Sequence, residues 1–188
     1  GLEVLQETLR LIPPEVPVIL DAKRNDIGQT AQGYARALFE QWDAPAVTLN
    51  PYLGPESIAP FLAYPGRGLF MLCRTSNPAS GDLQALEVRC PQVQGAAPLY
   101  LQVAEEVLRW GPGMALVVGA TDPAALARVR AQHPDVWVLC PGIGAQGGNL
   151  EQALQAGCRE DGLGLLTVVG RDIYQDENPG EKARAYRE

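Results

Sequence analysis

Apolar and polar positions along the chain follow two regular patterns, short apolar runs and longer helical stripes. The apolar runs predict six β-strands, because buried strands of parallel sheets are almost continuously apolar; they cover residues 16–20, 46–49, 68–73, 114–118, 136–140 and 163–169. Apolar positions at helical spacing predict helices over 2–12, 28–42, 55–62, 99–110, 121–132, 149–156 and 179–188. Between 82 and 98 no period is clear, which leaves a long loop or an irregular hairpin open.

Strict alternation of strands and helices predicts an α/β fold with a parallel sheet and helices outside it. We predict a single TIM (β/α)8 barrel domain over residues 1–188, and an open doubly wound sheet is the alternative. An eight-stranded barrel typically needs about 250 residues. Six predicted strands, a leading helix and a first residue other than Met therefore lead us to expect that the first two strands are missing and precede Gly1.

The first predicted strand is followed by a cluster of charged residues, Asp21, Lys23, Arg24 and Asp26. The carboxyl ends of parallel strands are where α/β proteins carry out chemistry. Asp21 and Lys23 are two positions apart, so on an extended backbone both point to the same side and share one small space. A solvated charge cluster at a strand-to-helix turn is the alternative interpretation.

Two loops near the C-terminus suit phosphate. Residues 142–148 are rich in glycine and lie before a short helix, so their backbone N–H groups can converge on an anion. Gly170 and Arg171 follow the last predicted strand and add a cation. Phosphate sites are frequent in the loops after the last two strands of a barrel. A plain loop and a surface ion pair remain the alternatives.

Composition narrows the classes of partner. The net charge of −7, from 22 acidic and 15 basic residues, disfavours nucleic-acid binding. No apolar run approaches the length of a membrane span. The four cysteines have no metal-like spacing; Cys73 and Cys140 lie in apolar runs, and we expect buried, reduced thiols in a cytoplasmic protein. The single histidine, His133, is predicted to lie on the surface.

The order of the motifs resembles one enzyme family. Residues 21–28, Asp-Ala-Lys-Arg-Asn-Asp-Ile-Gly, are similar to the signature of bacterial orotidine 5'-phosphate decarboxylases. The resemblance continues through 48–54, 75–78, 119–121 and 141–148, and so covers nearly all of the chain. The first motif alone is shared with related sugar-phosphate decarboxylases and aldolases, whereas the combination is specific.

The resemblance implies a role for each matching residue. Lys23 would protonate C6 of the pyrimidine as carbon dioxide leaves, and Asp21 would face the substrate carboxylate. Asp26 and Thr30 would reach the active site of the partner subunit in a homodimer. The remaining implied substrate contacts are Ser76 and Pro141 at the base, Gln146 between base and phosphate, and Gly170 with Arg171 at the phosphate. The family uses no metal or organic cofactor.

Two departures from the family pattern stand out. The bacterial branch usually has a serine before the arginine, where this chain has Gly170 before Arg171. The family also places an aspartate and a second lysine on its first two strands, which we expect to precede Gly1. A magnesium-dependent sugar-phosphate lyase or decarboxylase and a non-catalytic phosphate-binding barrel are the alternative functions; Gln146 disfavours the first, and Lys23 disfavours the second.

Overall fold

A six-stranded parallel sheet organises the fold in a computed structural model, which describes residues 1–89 and 95–187. Cys90, counted above, lies outside these residues. The strands of the parallel sheet are β1 (Ile19–Arg24), β2 (Ala46–Leu49), β3 (Gly68–Arg74), β6 (Met114–Val118), β7 (Val138–Pro141) and β8 (Leu165–Val168). Strands β4 (Glu87–Arg89) and β5 (Ala96–Pro98) form a separate antiparallel ribbon.

Helices follow the strands of the parallel sheet. They are α1 (Leu2–Leu11), α2 (Gly28–Arg36), α3 (Pro55–Leu62), α4 (Gly81–Gln84), α5 (Leu99–Arg109), α6 (Pro123–Gln132), α7 (Leu150–Gly157), α8 (Arg171–Tyr174) and α9 (Pro179–Arg187). A π-helical turn (Ala37–Gln41) extends α2 to the predicted end of that helix, and a 3-10 turn (Pro78–Ser80) precedes α4. None of the described helices is both long and apolar enough to cross a membrane.

The strand order decides between the two predicted architectures. Neighbours in the sheet run β1-β2-β3-β6-β7-β8, in the order of the chain. A doubly wound sheet would reverse direction at a switch point, and this sheet does not. The predicted α/β fold is therefore confirmed, with six consecutive strands arranged as in a (β/α)8 barrel.

Both faces of the sheet are apolar, as expected for parallel strands. The larger core lies between the sheet and the helices and includes Leu49, Met71 and Leu116 against Phe61 and Leu126. A smaller cluster occupies the inner face, built from Ala46, Phe70, Ala115 and Val117 with Ile19, Leu72 and Leu139. The apolar faces of the helices thus cover one face of the parallel sheet. The other, inner face of the sheet forms an apolar trough.

Two predicted segments differ from the structure in an informative way. The strand predicted at 16–20 begins at Ile19 and continues to Arg24, because the Val16 N–H is used in a turn to Pro13 O. The charged cluster therefore begins within β1 and not beyond its end. The unclear segment 82–98 contains α4 and the β4–β5 ribbon, which supports the hairpin alternative; residues 90–94 lie outside the described ranges.

Arg130 joins the segments at the amino-terminal edge of the last strands. Its guanidinium donates five hydrogen bonds of 2.8–3.3 Å to backbone carbonyls, those of His133, Pro134, Val136, Gly157 and Gly164. These carbonyls belong to the end of α6, the turn into β7, the end of α7 and the turn into β8. One side chain thus fixes how four segments meet.

His133, which was predicted to lie on the surface, is half-buried. Its side chain is only 14% exposed, because the end of α6 packs against α5, where Glu105 Oε2 lies 3.7 Å from His133 Nε2. Burial lowers the pKa of His133, and the Glu105 carboxylate opposes that effect. The two cysteines predicted to be buried, Cys73 and Cys140, are 3% and 0% exposed, and burial raises the pKa of each thiol to about 12.

Candidate active site

Asp21 and Lys23 lie together on β1, as their spacing predicts. Lys23 Nζ donates a hydrogen bond of 2.5 Å to Asp21 Oδ2. Lys23 has a φ of +46°, in the left-handed region, and the pairing of β1 with β2 shifts between Leu20 and Arg24. Such a backbone conformation costs a non-glycine residue about 1–2 kcal/mol. Strained residues of this kind concentrate at functional sites, where the surrounding structure holds them in place.

Thr48 on β2 joins the pair through its hydroxyl group. Thr48 Oγ1 accepts a hydrogen bond of 2.9 Å from the Lys23 backbone N–H and donates one of 2.8 Å to Asp21 Oδ1. Thr48 is 1% exposed. Sequence reasoning assigned it no role; the available signal was one polar residue inside the otherwise apolar run 46–49.

The hydrogen bonds around Asp21 favour its ionised form. Partial burial raises the pKa of Asp21, but the hydrogen bonds from Lys23 and Thr48, with the positive charge of Lys23, lower it further than burial raises it. The net pKa lies below the ordinary value of an aspartate. The site therefore presents an ionised carboxylate directly beside the Lys23 side chain.

The trough on the inner face of the sheet ends at this pair. A cavity of about 530 Å³ is lined by Asp21, Lys23 and Thr48 together with Pro141 and apolar side chains that include Ile19, Phe70, Val117, Leu139 and Leu166. Asp21 and Lys23 are its charged lining residues. Asp21, Lys23 and Pro141 lie at the carboxyl ends of their strands, the edge at which (β/α)8 barrels bind their substrates, whereas the apolar side chains below them belong to the interior of such a barrel.

Ser76 and Gln146 meet beside the trough, although 70 residues separate them. Ser76 Oγ donates a hydrogen bond of 2.5 Å to Gln146 Oε1, which joins the loop after β3 to the loop after β7. The base of the Ser76 loop is held by Arg74, whose side chain is 13% exposed and whose guanidinium lies 3.2 Å from Asp122. Arg74 also donates to Ser80 Oγ. The structure thus brings together two residues that were predicted separately.

Glycine at position 119 allows this approach. A Cβ added to Gly119 would lie 2.7–2.8 Å from the N, Cα and Cβ atoms of Ser76, closer than real Cβ contacts. We expect Gly119→Ala to displace the Ser76 loop, to lower kcat/KM at least tenfold and to lower the free energy of unfolding by about 1–3 kcal/mol. Steady-state kinetics and urea unfolding measure the two effects.

Gly33 offers a matched control for that substitution. It lies in α2 with open space around its added Cβ, so Gly33→Ala should stabilise the helix by about 0.5–1 kcal/mol and leave the contact between Ser76 and Gln146 in place. A Gly119→Ala variant as active as the Gly33→Ala variant would show that the Ser76 loop tolerates the added methyl group.

The two predicted phosphate loops are neighbours. The space for a Cβ on Gly144 is closed by the Asp172 side chain at 2.9–3.0 Å, so the loop after β7 contacts the start of α8. Gly170 and Arg171 are exposed beside this contact. The Tyr186 hydroxyl of α9 donates a hydrogen bond of 2.5 Å to Asp172, which ties the last helix to the same corner.

The glycine-rich loop at residues 142–148 is held by hydrogen bonds within the loop. The N–H groups of Gly144, Gly147 and Gly148 donate hydrogen bonds of 2.7–3.0 Å to carbonyls within the loop, those of Gly148, Gly144 and Gly142. These three amides are therefore occupied inside the loop. The predicted cradle of converging N–H groups is therefore smaller than the run of glycines implies. Of the two predicted phosphate contacts, Arg171 becomes the more important.

Asp26 and Thr30 lie apart from the Asp21–Lys23 pair. Asp26 follows β1 and accepts a hydrogen bond of 2.8 Å from the Ile27 N–H, while Thr30 is exposed on α2. In the described part of the chain neither side chain is hydrogen-bonded to Asp21 or Lys23. Residues 1–89 and 95–187 also contain no cluster of three His, Cys, Asp or Glu side chains placed to hold a metal ion.

Comparison with known proteins places these features in one family. A family model described as "Orotidine 5'-phosphate decarboxylase / HUMPS family" matches residues 3–186. The chain is 48% identical to an orotidine 5'-phosphate decarboxylase of Thermomicrobium roseum and 47% identical to that of Cupriavidus metallidurans; it covers 66% and 67% of those proteins with 98% and 99% of its own length. It thus spans about two thirds of the length of these curated relatives.

A solved structure shows the same similarity. Leishmania donovani UMP synthase superposes with a TM-score of 0.90 at 45% identity, over 100% of this chain and 42% of that chain. Both the family model and the curated relatives extend over nearly the whole of the present chain. The chain belongs to the orotidine 5'-phosphate decarboxylase / HUMPS family.

Proposed function

We propose that the protein is an orotidine 5'-phosphate decarboxylase, which converts orotidine 5'-phosphate to uridine 5'-phosphate and carbon dioxide without a cofactor. The observation that carries this proposal is the Lys23–Asp21 pair at the end of the apolar trough. The names of the similar proteins from Thermomicrobium and Cupriavidus support it.

The reaction requires a fixed cation close to the reacting carbon. When the bond between C6 and the carboxylate breaks, its electron pair stays on C6, where no adjacent carbonyl delocalises it. The Lys23 ammonium can stabilise that charge and then transfer a proton to C6, which completes the product. A carboxylate at Asp21 repels the substrate carboxylate until carbon dioxide departs. We assign the larger share of the rate acceleration to stabilisation of the transition state by Lys23, and the smaller share to repulsion by Asp21.

The other predicted residues bind the rest of the nucleotide. Pro141, at the carboxyl end of β7, suits a face of the pyrimidine ring. Ser76 and Gln146, joined by a hydrogen bond, can present polar groups to its edge, and Gly170 with Arg171 can hold the phosphate. Contacts to the phosphate supply binding energy remote from the reacting carbon, which keeps the loops closed over the base.

A homodimer accounts for Asp26 and Thr30. Asn25 donates a hydrogen bond to Asn50 O, so the loop that carries Asp26 lies against the loop after β2. Large apolar side chains are exposed on these two loops: Ile27 at 61%, Tyr52 at 79% and Leu53 at 43%. Exposed apolar patches of this kind mark protein interfaces. Asp26 and Thr30 would then enter the site of the partner subunit.

An assay of the full-length protein tests the proposed activity. Orotidine 5'-phosphate is supplied, and the loss of the orotate chromophore is followed optically. We expect turnover that a metal chelator leaves unchanged. Activity that requires magnesium, or acts on a sugar phosphate in place of the nucleotide, would instead indicate the related lyases, and binding without turnover would indicate a non-catalytic barrel.

Arg171→Ala should weaken binding of the phosphate and leave the chemistry at C6 in place. We expect kcat/KM for orotidine 5'-phosphate to fall about a hundredfold, mainly through KM, because a charge-assisted contact to phosphate is lost. Arg184→Ala, at an exposed arginine of α9, is the matched control. Initial-rate kinetics measure both variants; an unchanged KM in Arg171→Ala contradicts the assigned role.

A further inference from the structure

We propose that Thr48 is a positioning residue for the decarboxylation, one that holds the Asp21 carboxylate and the backbone of Lys23 in register through a single hydroxyl group. The inference rests on the proposed function for its kinetic part. It adds a residue that the sequence analysis did not assign to the site.

The direction of both hydrogen bonds follows from their partners. The Lys23 N–H can only donate, so Thr48 Oγ1 accepts that bond of 2.9 Å. An ionised Asp21 carboxylate can only accept, so the Thr48 hydroxyl proton points to Asp21 Oδ1 at 2.8 Å. One rotatable proton is thus oriented from both sides, and the hydroxyl is fixed between the two residues.

Burial makes these bonds necessary. Thr48 is 1% exposed, and its neighbours on β2, Val47 and Leu49, are both 0% exposed. A buried hydroxyl without partners is unfavourable, whereas here the two contacts satisfy it. The β-branched side chain also restricts rotation about its first torsion angle, so the oxygen is held where the backbone of β2 places it.

The Thr48 hydroxyl binds the backbone at the irregular part of β1. Leu20 pairs with Val47 and Arg24 with Leu49, so three residues of β1 stand opposite one residue of β2, which is Thr48. Lys23 within this irregular stretch has a φ of +46°. Its N–H donates a hydrogen bond to the Thr48 side chain. Thr48 thereby stabilises the conformation from which the Lys23 side chain reaches Asp21.

Lys23 binds one oxygen of the Asp21 carboxylate, and the other oxygen is bound by the neutral hydroxyl of Thr48. Lys23 is the charged side chain that faces Asp21, and the residues lining the trough from β2, β3, β6, β7 and β8 are uncharged. Arg24 turns the other way and lies over the Tyr34 ring at 5.2 Å. Thr48 consequently fixes one carboxylate oxygen while Lys23 binds the other.

A pair of substitutions separates the hydroxyl from the shape of the side chain. Thr48→Val keeps the shape and removes both hydrogen bonds, whereas Thr48→Ser keeps the hydroxyl. We expect Thr48→Val in the full-length protein to lower kcat about ten- to a hundredfold with little change in KM, because the base and phosphate contacts lie elsewhere. Thr48→Ser should recover most of the lost rate.

The pH dependence gives a second readout. Thr48 is one of the groups that lower the pKa of Asp21, so its loss should raise that pKa. Since the proposed role of Asp21 requires the carboxylate, activity is lost as the pH falls through the pKa. The acidic limb of the kcat profile should therefore move to higher pH in Thr48→Val and return towards its original position in Thr48→Ser.

Carbon-13 NMR titration of the Asp21 carboxyl group, assigned with Asp21→Asn, keeps this inference separate from the proposed reaction. If the wild-type protein is active, a Thr48→Val variant with unchanged kcat and acidic limb overturns the inference. If the wild-type protein shows no decarboxylation, the proposed function fails, and the titration alone decides: a raised Asp21 pKa in Thr48→Val supports positioning by Thr48, and an unchanged pKa overturns it.

Discussion

Replacing Lys23 by alanine should reduce kcat for orotidine 5'-phosphate at least about ten-thousandfold, because one side chain supplies both the stabilising cation and the proton. Lys23 is the cation at the trough, and it lies 2.5 Å from Asp21. Its removal leaves the Asp21 carboxylate facing the substrate carboxylate without compensation. Single-turnover measurements with excess enzyme can quantify the remaining rate.

Binding and chemistry can be separated in the same variant. Ser76, Gln146 and Arg171 lie on other loops, so Lys23→Ala should still bind uridine 5'-phosphate, as measured by calorimetry. Lys23→Arg should recover little, because a guanidinium holds its proton much more tightly than an ammonium and is a poor proton donor. Arg24→Gln is the matched control, since it removes a neighbouring charge that lies over Tyr34. A Lys23→Ala variant as fast as this control would falsify the proposed mechanism.

Replacing Arg130 by methionine should lower the free energy of unfolding by about 3 kcal/mol, because several carbonyl groups lose their donor at once. The five hydrogen bonds connect the ends of α6 and α7 with the turns into β7 and β8. The site lies at the opposite ends of these strands, so kcat and KM should stay unchanged where the variant is folded. Urea unfolding followed by circular dichroism measures the loss.

Two further variants identify the cause of that loss. Arg130→Lys keeps the charge but has fewer donors and no planar fork, so it should recover only part of the stability. Arg128→Met changes an exposed arginine two positions earlier on α6 and should alter stability by no more than about 0.5 kcal/mol. Equal unfolding midpoints for Arg130→Met and Arg128→Met would contradict the role given to Arg130.

Much of the fold follows from the chain pattern, because the apolar runs of β2, β3 and β6 are distinct and their helices carry clear stripes. The boundary of β1 does not follow, since a turn at Pro13 and an irregular pairing with β2 set it. The partial burial of His133 depends on the contact between the end of α6 and Glu105 of α5. The assignment of the chain to one domain stays a prediction.

The parts of the candidate site that depend on residues close together in the sequence could be predicted. Asp21 and Lys23 are two residues apart, and their proximity follows from that spacing. Thr48 acts through a shift in strand register that periodicity does not reveal, and the meeting of Ser76 with Gln146 depends on strand order. The internal hydrogen bonds of the glycine loop likewise require coordinates. The roles of Asp26 and Thr30 stay predictions, because they concern a partner subunit.

The sequential order of the parallel strands bears on how the protein is assembled during synthesis. Within the described sheet, each new β/α unit can dock on the unit that precedes it in the chain. Lys23 comes from the first strand of this sheet and Arg171 from the end of the last. In the proposed nucleotide site, Lys23 and Arg171 therefore come together only when the last of these units docks, and binding of the nucleotide would report that docking.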